Sequence, residues 1–89
     1  LYLLYREQAD HLVGILENEI STGNALGWKA AAHRLKGASG NLGAEQLHRI
    51  CQSAETVCEE GPEAKRAKLD DIRGELTRIA QFFTDRAAA

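Results

Sequence analysis

Tyr5, Ala9, Leu12, Leu16 and Ile20 follow one another at intervals of three and four, with Val13 beside them, so the stretch from Leu1 to about Ser21 predicts an amphipathic helix. Ser21, Thr22, Gly23 and Asn24 then supply turn chemistry, and Asn24 suits the N-cap of a second helix beginning at Ala25. The second stripe is Trp28, Ala31, Ala32, Leu35, Ala38 and Leu42, and it gives out around Asn41 to Gly43, where small and turn-forming residues gather. A third helix is expected from Ala44 to Glu60, with Leu47, Ile50, Cys51, Ala54, Val57 and Cys58 on one face. Gly61 followed by Pro62 reads as that helix ending on glycine and the next opening with proline in its first turn. The fourth helix is expected from Pro62 to Arg86 with Leu69, Ile72, Leu76, Ile79 and Phe83 as its seam, and Arg86 to Ala89 should fray.

No segment reads as a strand, and the connections are short. The expected fold is therefore all-α: an antiparallel, up-and-down four-helix bundle occupying residues 1–89 as one domain. Each helix is amphipathic on one side, which leaves Glu7, Glu17, Lys65, Arg66, Asp70, Arg73 and Glu75 to a solvated face.

Composition narrows the function classes. The 89 residues are 44% hydrophobic and 27% charged, as in an ordinary globular domain, which argues against disorder and against a disulfide scaffold. Eleven basic against thirteen acidic residues leave a net charge of -2, too balanced for a module that neutralises many phosphates, so nucleic acid is not expected as a partner. The apolar runs fall short of the roughly 20 residues a bilayer span requires, and direct membrane contact is not expected. Cys51 and Cys58, seven apart on one expected helix, are too distant to pair and read as core thiols; free thiols make the cytoplasm the default location. A chain starting at Leu1 without methionine suggests a piece of a longer polypeptide whose other domains include a membrane sensor.

The candidate chemistry lies on the second helix. At about 100° per residue, His33 falls roughly 160° from the centre of the apolar stripe and should point into water. Lys29, Lys36, Gly37 and Gly40 share its face, and two glycines inside a helix cost about 1 kcal/mol each relative to alanine. Close approach by another protein would offset that cost. A solvated imidazole is mostly neutral at pH 7 and keeps a lone pair able to attack phosphorus, with the Lys36 ammonium available to a phosphoryl group one turn away. The second ring nitrogen needs a hydrogen-bond partner to select the tautomer. Glu55, on the flank of the third helix, is the first candidate and Gln52 the second.

The run His33, Arg34, Leu35, Lys36, Gly37, followed by Asn41, Leu42, Gly43, Ala44, resembles the signature of histidine phosphotransfer (HPt) domains, and the similarity continues through Leu47, Cys51 and Glu55. Among these it looks most like the domains at the C-termini of hybrid sensor histidine kinases. The resemblance implies that His33 is phosphorylated on its outer ring nitrogen, that Lys36 stabilises the phosphoryl group and that Glu55 holds the inner nitrogen. It implies that Gly37 stays small so that a receiver domain can dock, with Gly40, Lys29 and Arg34 around it. The partners would be response-regulator receiver domains, which bring the aspartate and the magnesium ion. The chain itself would be a monomeric carrier without cofactor, ATP site or kinase activity, cytoplasmic or at the cytoplasmic end of a membrane-bound sensor kinase. Two other readings compete. Metal binding by His11, His33 and His48 is disfavoured because the three fall on different helices with no i, i+4 pair. A non-catalytic adaptor or dimerisation bundle would leave His33 replaceable without consequence.

Overall fold

A computed structural model describes residues 2–88. It contains four helices: α1 (Tyr2–Thr22), α2 (Ala25–Leu42), α3 (Glu45–Glu55) and α4 (Pro62–Ala88), and no strand among the described residues. α1 packs on α2 and α4, and α3 packs on α2 and α4, so the helices form a closed square. Contacting pairs give their directions. Tyr5 meets Ser39 and Glu19 meets Gly27 across α1 and α2, whereas Tyr2 stacks on Phe83 and Glu17 binds Arg66 and Arg73 across α1 and α4. In each pair one number falls as the other rises, which is the antiparallel, up-and-down arrangement expected.

The stripes meet in one core: Leu12, Leu16, Trp28, Ala32, Leu35, Leu47, Cys51, Leu69 and Ile72 are fully buried. Alanines on α2 let α1 and α3 approach closely. Early in α2 a Cβ on Gly27 would meet the carboxylate of the buried Glu19, which would have to move aside to admit any larger residue. Asn24 caps α2 as expected, its side-chain oxygen accepting from the Gly27 N–H at 3.0 Å. The other end of α2 closes on Gly43, in the left-handed region at φ 83°, with Ala44 N–H donating to Ser39 O.

Five expectations need correction. α3 stops at Glu55 rather than Glu60. The Thr56 hydroxyl donates to Ser53 O at 2.6 Å and the Trp28 indole N–H donates to Ala54 O at 2.8 Å, so these carbonyls gain outside partners while the chain tightens into i→i+3 turns. Gly61 consequently does not cap α3, although Pro62 does open α4. Cys58 sits half-buried in the turns beyond α3 while Cys51 is in the core; both are free thiols, although they do not share a helix. Lys65 and Glu75 are buried instead of solvated. The Lys65 ammonium lies over Trp28, 5.8 Å from the ring centroid, and Glu75 is covered while Arg78 forks onto its carboxylate. Finally, α4 remains helical through Ala88; Leu1 and Ala89, where the first helix was expected to begin and the C-terminus to finish fraying, lie outside the described residues.

Ser39 adds a polar element that the apolar pattern did not announce. Its hydroxyl donates to Leu35 O at 2.7 Å and, having one proton, accepts from Tyr5 OH at 3.2 Å, so a fully buried hydroxyl is satisfied on both sides.

The indole bond ties α2 to the end of α3. Trp28→Phe, which keeps most of the ring and removes the donor, should cost about 1–3 kcal/mol. For a domain of this size that is a fall of about 5–15 °C in the thermal midpoint followed by circular dichroism. An unchanged midpoint would show that Ala54 O is satisfied without the indole.

Candidate functional site

α2 and α3 run antiparallel and in contact, and two pairs of side chains mark their register. His33 faces Glu55, and seven residues away on each helix Gly40 faces His48. α2 carries His33 outward, as the periodicity requires, and its side chain is 67% exposed. α3 ends at the level of His33, which places Glu55 at the helix terminus with its side chain 14% exposed between the two helices.

The Glu55 carboxylate is shared. Oε1 lies 3.1 Å from His33 Nδ1 and Oε2 lies 2.8 Å from Lys36 Nζ. Burial pushes the Glu55 carboxyl up, but the hydrogen bond and charge of Lys36, and then those of His33, outweigh it and leave the group below its ordinary value of 4.5. An ionised carboxylate only accepts, so His33 Nδ1 carries the proton and donates it. In the neutral ring the lone pair then belongs to Nε2, on the exposed side.

The expected site residues divide as follows. His33, Lys36 and Glu55 are brought together. Gln52 is exposed on α3 and is not the ring's partner. Lys36 departs from the free cation expected: it is 22% exposed and ion-paired to Glu55. Lys29 and Arg34 are exposed on α2. Open space surrounds the position of a Cβ on Gly37, as the access argument requires. Gly40 differs, because a Cβ there would sit 3.3 Å from His48 Nδ1; its small size accommodates that ring. His11 is exposed on α1, His48 is half-buried on α3, and no cluster of three metal-ligating side chains occurs among the described residues.

Two features escaped the sequence reading. Leu26 is 79% exposed and sits two turns before His33 on the same face, a position that its spacing of seven could have revealed. His48 Nδ1 lies 3.2 Å from the Lys36 carbonyl, a contact that depends on tertiary packing and leaves no mark in a stripe. Cys51, packed behind Glu55, is chemically quiet: burial, with a lesser push from the Glu55 charge, raises its thiol to about 12.

An outward histidine held through one nitrogen by a carboxylate, on a four-helix bundle, is an arrangement suited to a histidine-based carrier. The family model for the Hpt domain matches residues 1–82, and the chain belongs to that family, whose members transfer phosphoryl groups through histidine in two-component signalling and are carriers rather than kinases. No match was found among curated proteins or among solved structures. No helix of the described residues is long and apolar enough to cross a membrane.

The lowered Glu55 carboxyl has a signed consequence. A carboxyl that is more acidic folded than unfolded stabilises the fold above its ordinary value of 4.5, and that contribution disappears as pH falls through the lowered folded value. The stability gap between the wild type and Glu55→Gln, measured by urea unfolding, should therefore be larger at pH 7 than at pH 3, and a carboxyl NMR titration should place Glu55 below its ordinary value of 4.5.

Proposed function

We propose that His33 is the phosphorylated residue of a phosphorelay, accepting a phosphoryl group from the aspartyl phosphate of one receiver domain and passing it to the aspartate of a response regulator. The observation that carries this reading is the His33–Glu55 hydrogen bond at 3.1 Å on a ring that is otherwise two-thirds exposed. In the neutral ring it leaves the lone pair on Nε2, which is accessible.

The step balances without a base. Nε2 attacks phosphorus, the N–P bond forms as the P–O bond to the aspartyl carboxylate breaks, and the carboxylate departs with the electron pair. Nδ1 keeps its proton, so the phosphorylated ring is cationic beside the Glu55 anion, which stabilises it. An ammonium has three N–H donors and Glu55 takes one, leaving Lys36 able to meet phosphoryl oxygens. Both Glu55 oxygens are already engaged, so this carboxylate is a poor ligand for a metal; in this reading the magnesium ion belongs to the receiver.

The docking surface is centred on His33 and the open space at Gly37, flanked by Lys29 and Arg34, with Leu26 as an exposed apolar contact. Gly40 contributes indirectly, by admitting His48. A cytoplasmic, monomeric carrier fits this role, because a single exposed imidazole needs no symmetry mate, and attachment to a hybrid sensor kinase would supply the first receiver.

Incubation with a phosphorylated receiver should yield an acid-labile, base-stable phosphoprotein. His33→Gln should abolish the label with the thermal midpoint within about 3 °C of wild type, since exposed substitutions stay near 0.5 kcal/mol. Lys36→Ala should slow transfer about tenfold, the equivalent of about 1.4 kcal/mol of barrier. Gly37→Leu should weaken docking. Full labelling of His33→Gln would transfer the role to another residue, and labelling of neither protein would favour an adaptor.

A further inference from the structure

Lys36 is held at both ends. Its ammonium is bonded to Glu55 Oε2 at 2.8 Å, and its backbone carbonyl lies 3.2 Å from His48 Nδ1, in hydrogen-bond contact with a half-buried ring on the neighbouring helix. A helix-interior carbonyl has two lone pairs and spends one on the N–H four residues later, which here belongs to Gly40. The second is reached by an outside donor only where no side chain stands in the way. At Gly40 none does, and the imidazole fills that space with Nδ1 3.3 Å from where a Cβ would be. A carbonyl cannot donate, so His48 Nδ1 carries the proton of this bond.

We infer that His48 is a positioning residue for Lys36: by donating to the Lys36 carbonyl across Gly40, it fixes the register of α2 on α3 so that the Lys36 ammonium meets Glu55 and the His33 site together. The inference rests on the relay reading of His33 for its effect on transfer, and on geometry alone for its effect on Glu55. His48 and Glu55 lie two turns apart on α3, and His33 and Gly40 two turns apart on α2, so the two contacts fasten one helix pair at two levels with Lys36 between them. A slip of α2 along its axis is resisted at Gly40 before it can separate Lys36 from Glu55. The glycine and histidine therefore act as one unit, neither of which touches the reacting nitrogen.

The test compares wild type with His48→Ala and His48→Leu, which lack the donor, and with His48→Asn, whose amide restores one. Two measurements are made: single-turnover transfer from a phosphorylated receiver at increasing receiver concentration, and NMR titration of the Glu55 carboxyl, which requires no phosphate. Loss of the donor should lower the maximal transfer rate about three- to tenfold with half-saturation unchanged, and should raise the Glu55 titration toward its ordinary range as Lys36 loosens. His48→Asn should recover most of both. Variants that fold yet match wild type in maximal rate and in Glu55 titration overturn the inference. So does a change confined to half-saturation, which would assign the ring to docking, or failure of both donor-free variants to fold, which would make it part of the core. A wild type that takes no label defeats the relay reading, and the Glu55 titration then still decides whether His48 sets the Lys36 clamp.

Discussion

The Trp28 indole N–H on Ala54 O is the constraint on which the site depends. A helix end leaves carbonyls without intrahelical partners, and a buried one must find a donor elsewhere. Ala54 is fully buried; its carbonyl accepts the Val57 N–H at 3.3 Å in the turn and, on its second lone pair, the Trp28 indole at 2.8 Å from α2 itself. Because the donor and His33 belong to the same helix, the end of α3 is anchored directly to the element that carries His33. Glu55 is the next residue, and its carboxylate reaches His33 and Lys36 without a flexible linker between anchor and site.

That arrangement explains why α3 is short. Eleven residues span about 16 Å, much less than the 27-residue α4, and the chain then changes to tighter turns. Beyond Glu55 the backbone has left the i+4 pattern: the Thr56 and Val57 N–H groups donate to Ser53 O and Ala54 O in i→i+3 turns, and the Thr56 hydroxyl and the Trp28 indole take the second lone pairs of the same carbonyls. Val57 still reaches the core from the turn, so the early stop sacrifices little burial. Lys65 completes the same corner. Its ammonium stays 5.8 Å from the centroid of the indole ring, a favourable place for a cation.

Periodicity carried the helices and the outward aim of His33, since burial of one stripe per helix is a property of each segment alone. Asn24 and Pro62 announced helix starts because their side chains act locally. The misread positions are those where a distant group intervenes. Nothing near Thr56 in sequence reveals that an indole 26 residues earlier will take Ala54 O, and Lys65 reads as solvent-facing until Trp28 is placed beneath it. Glycine was informative and ambiguous for the same reason. The pattern marked Gly37 and Gly40 alike as gaps around His33, yet one faces open space and the other a histidine from α3. A missing side chain signals that something needs room without identifying it, and Gly27, pressed against Glu19, supplies a third answer on the same helix.

On the proposed relay reading, the division of the Glu55 carboxylate between two donors bears on how a carrier would work in both directions. A carboxylate serving His33 alone would place its full charge on the ring, stabilise the cationic phosphohistidine strongly, and make the phosphoryl group hard to pass on. Lys36 draws part of that charge away through Oε2 while remaining able to meet phosphoryl oxygens, which stabilise the transfer geometry from whichever side it is approached. Interactions made equally with donor and acceptor lower the barrier without fixing the direction, and the direction then follows from the receivers. The same ion pair keeps the Glu55 carboxyl below its ordinary value, so near neutral pH it is an acceptor only and the His33 tautomer does not fluctuate with it. In the proposed relay, an exposed ring with covered supports keeps its Nδ1 proton directed at Glu55 and leaves the phosphoryl group on Nε2 within reach of the next partner.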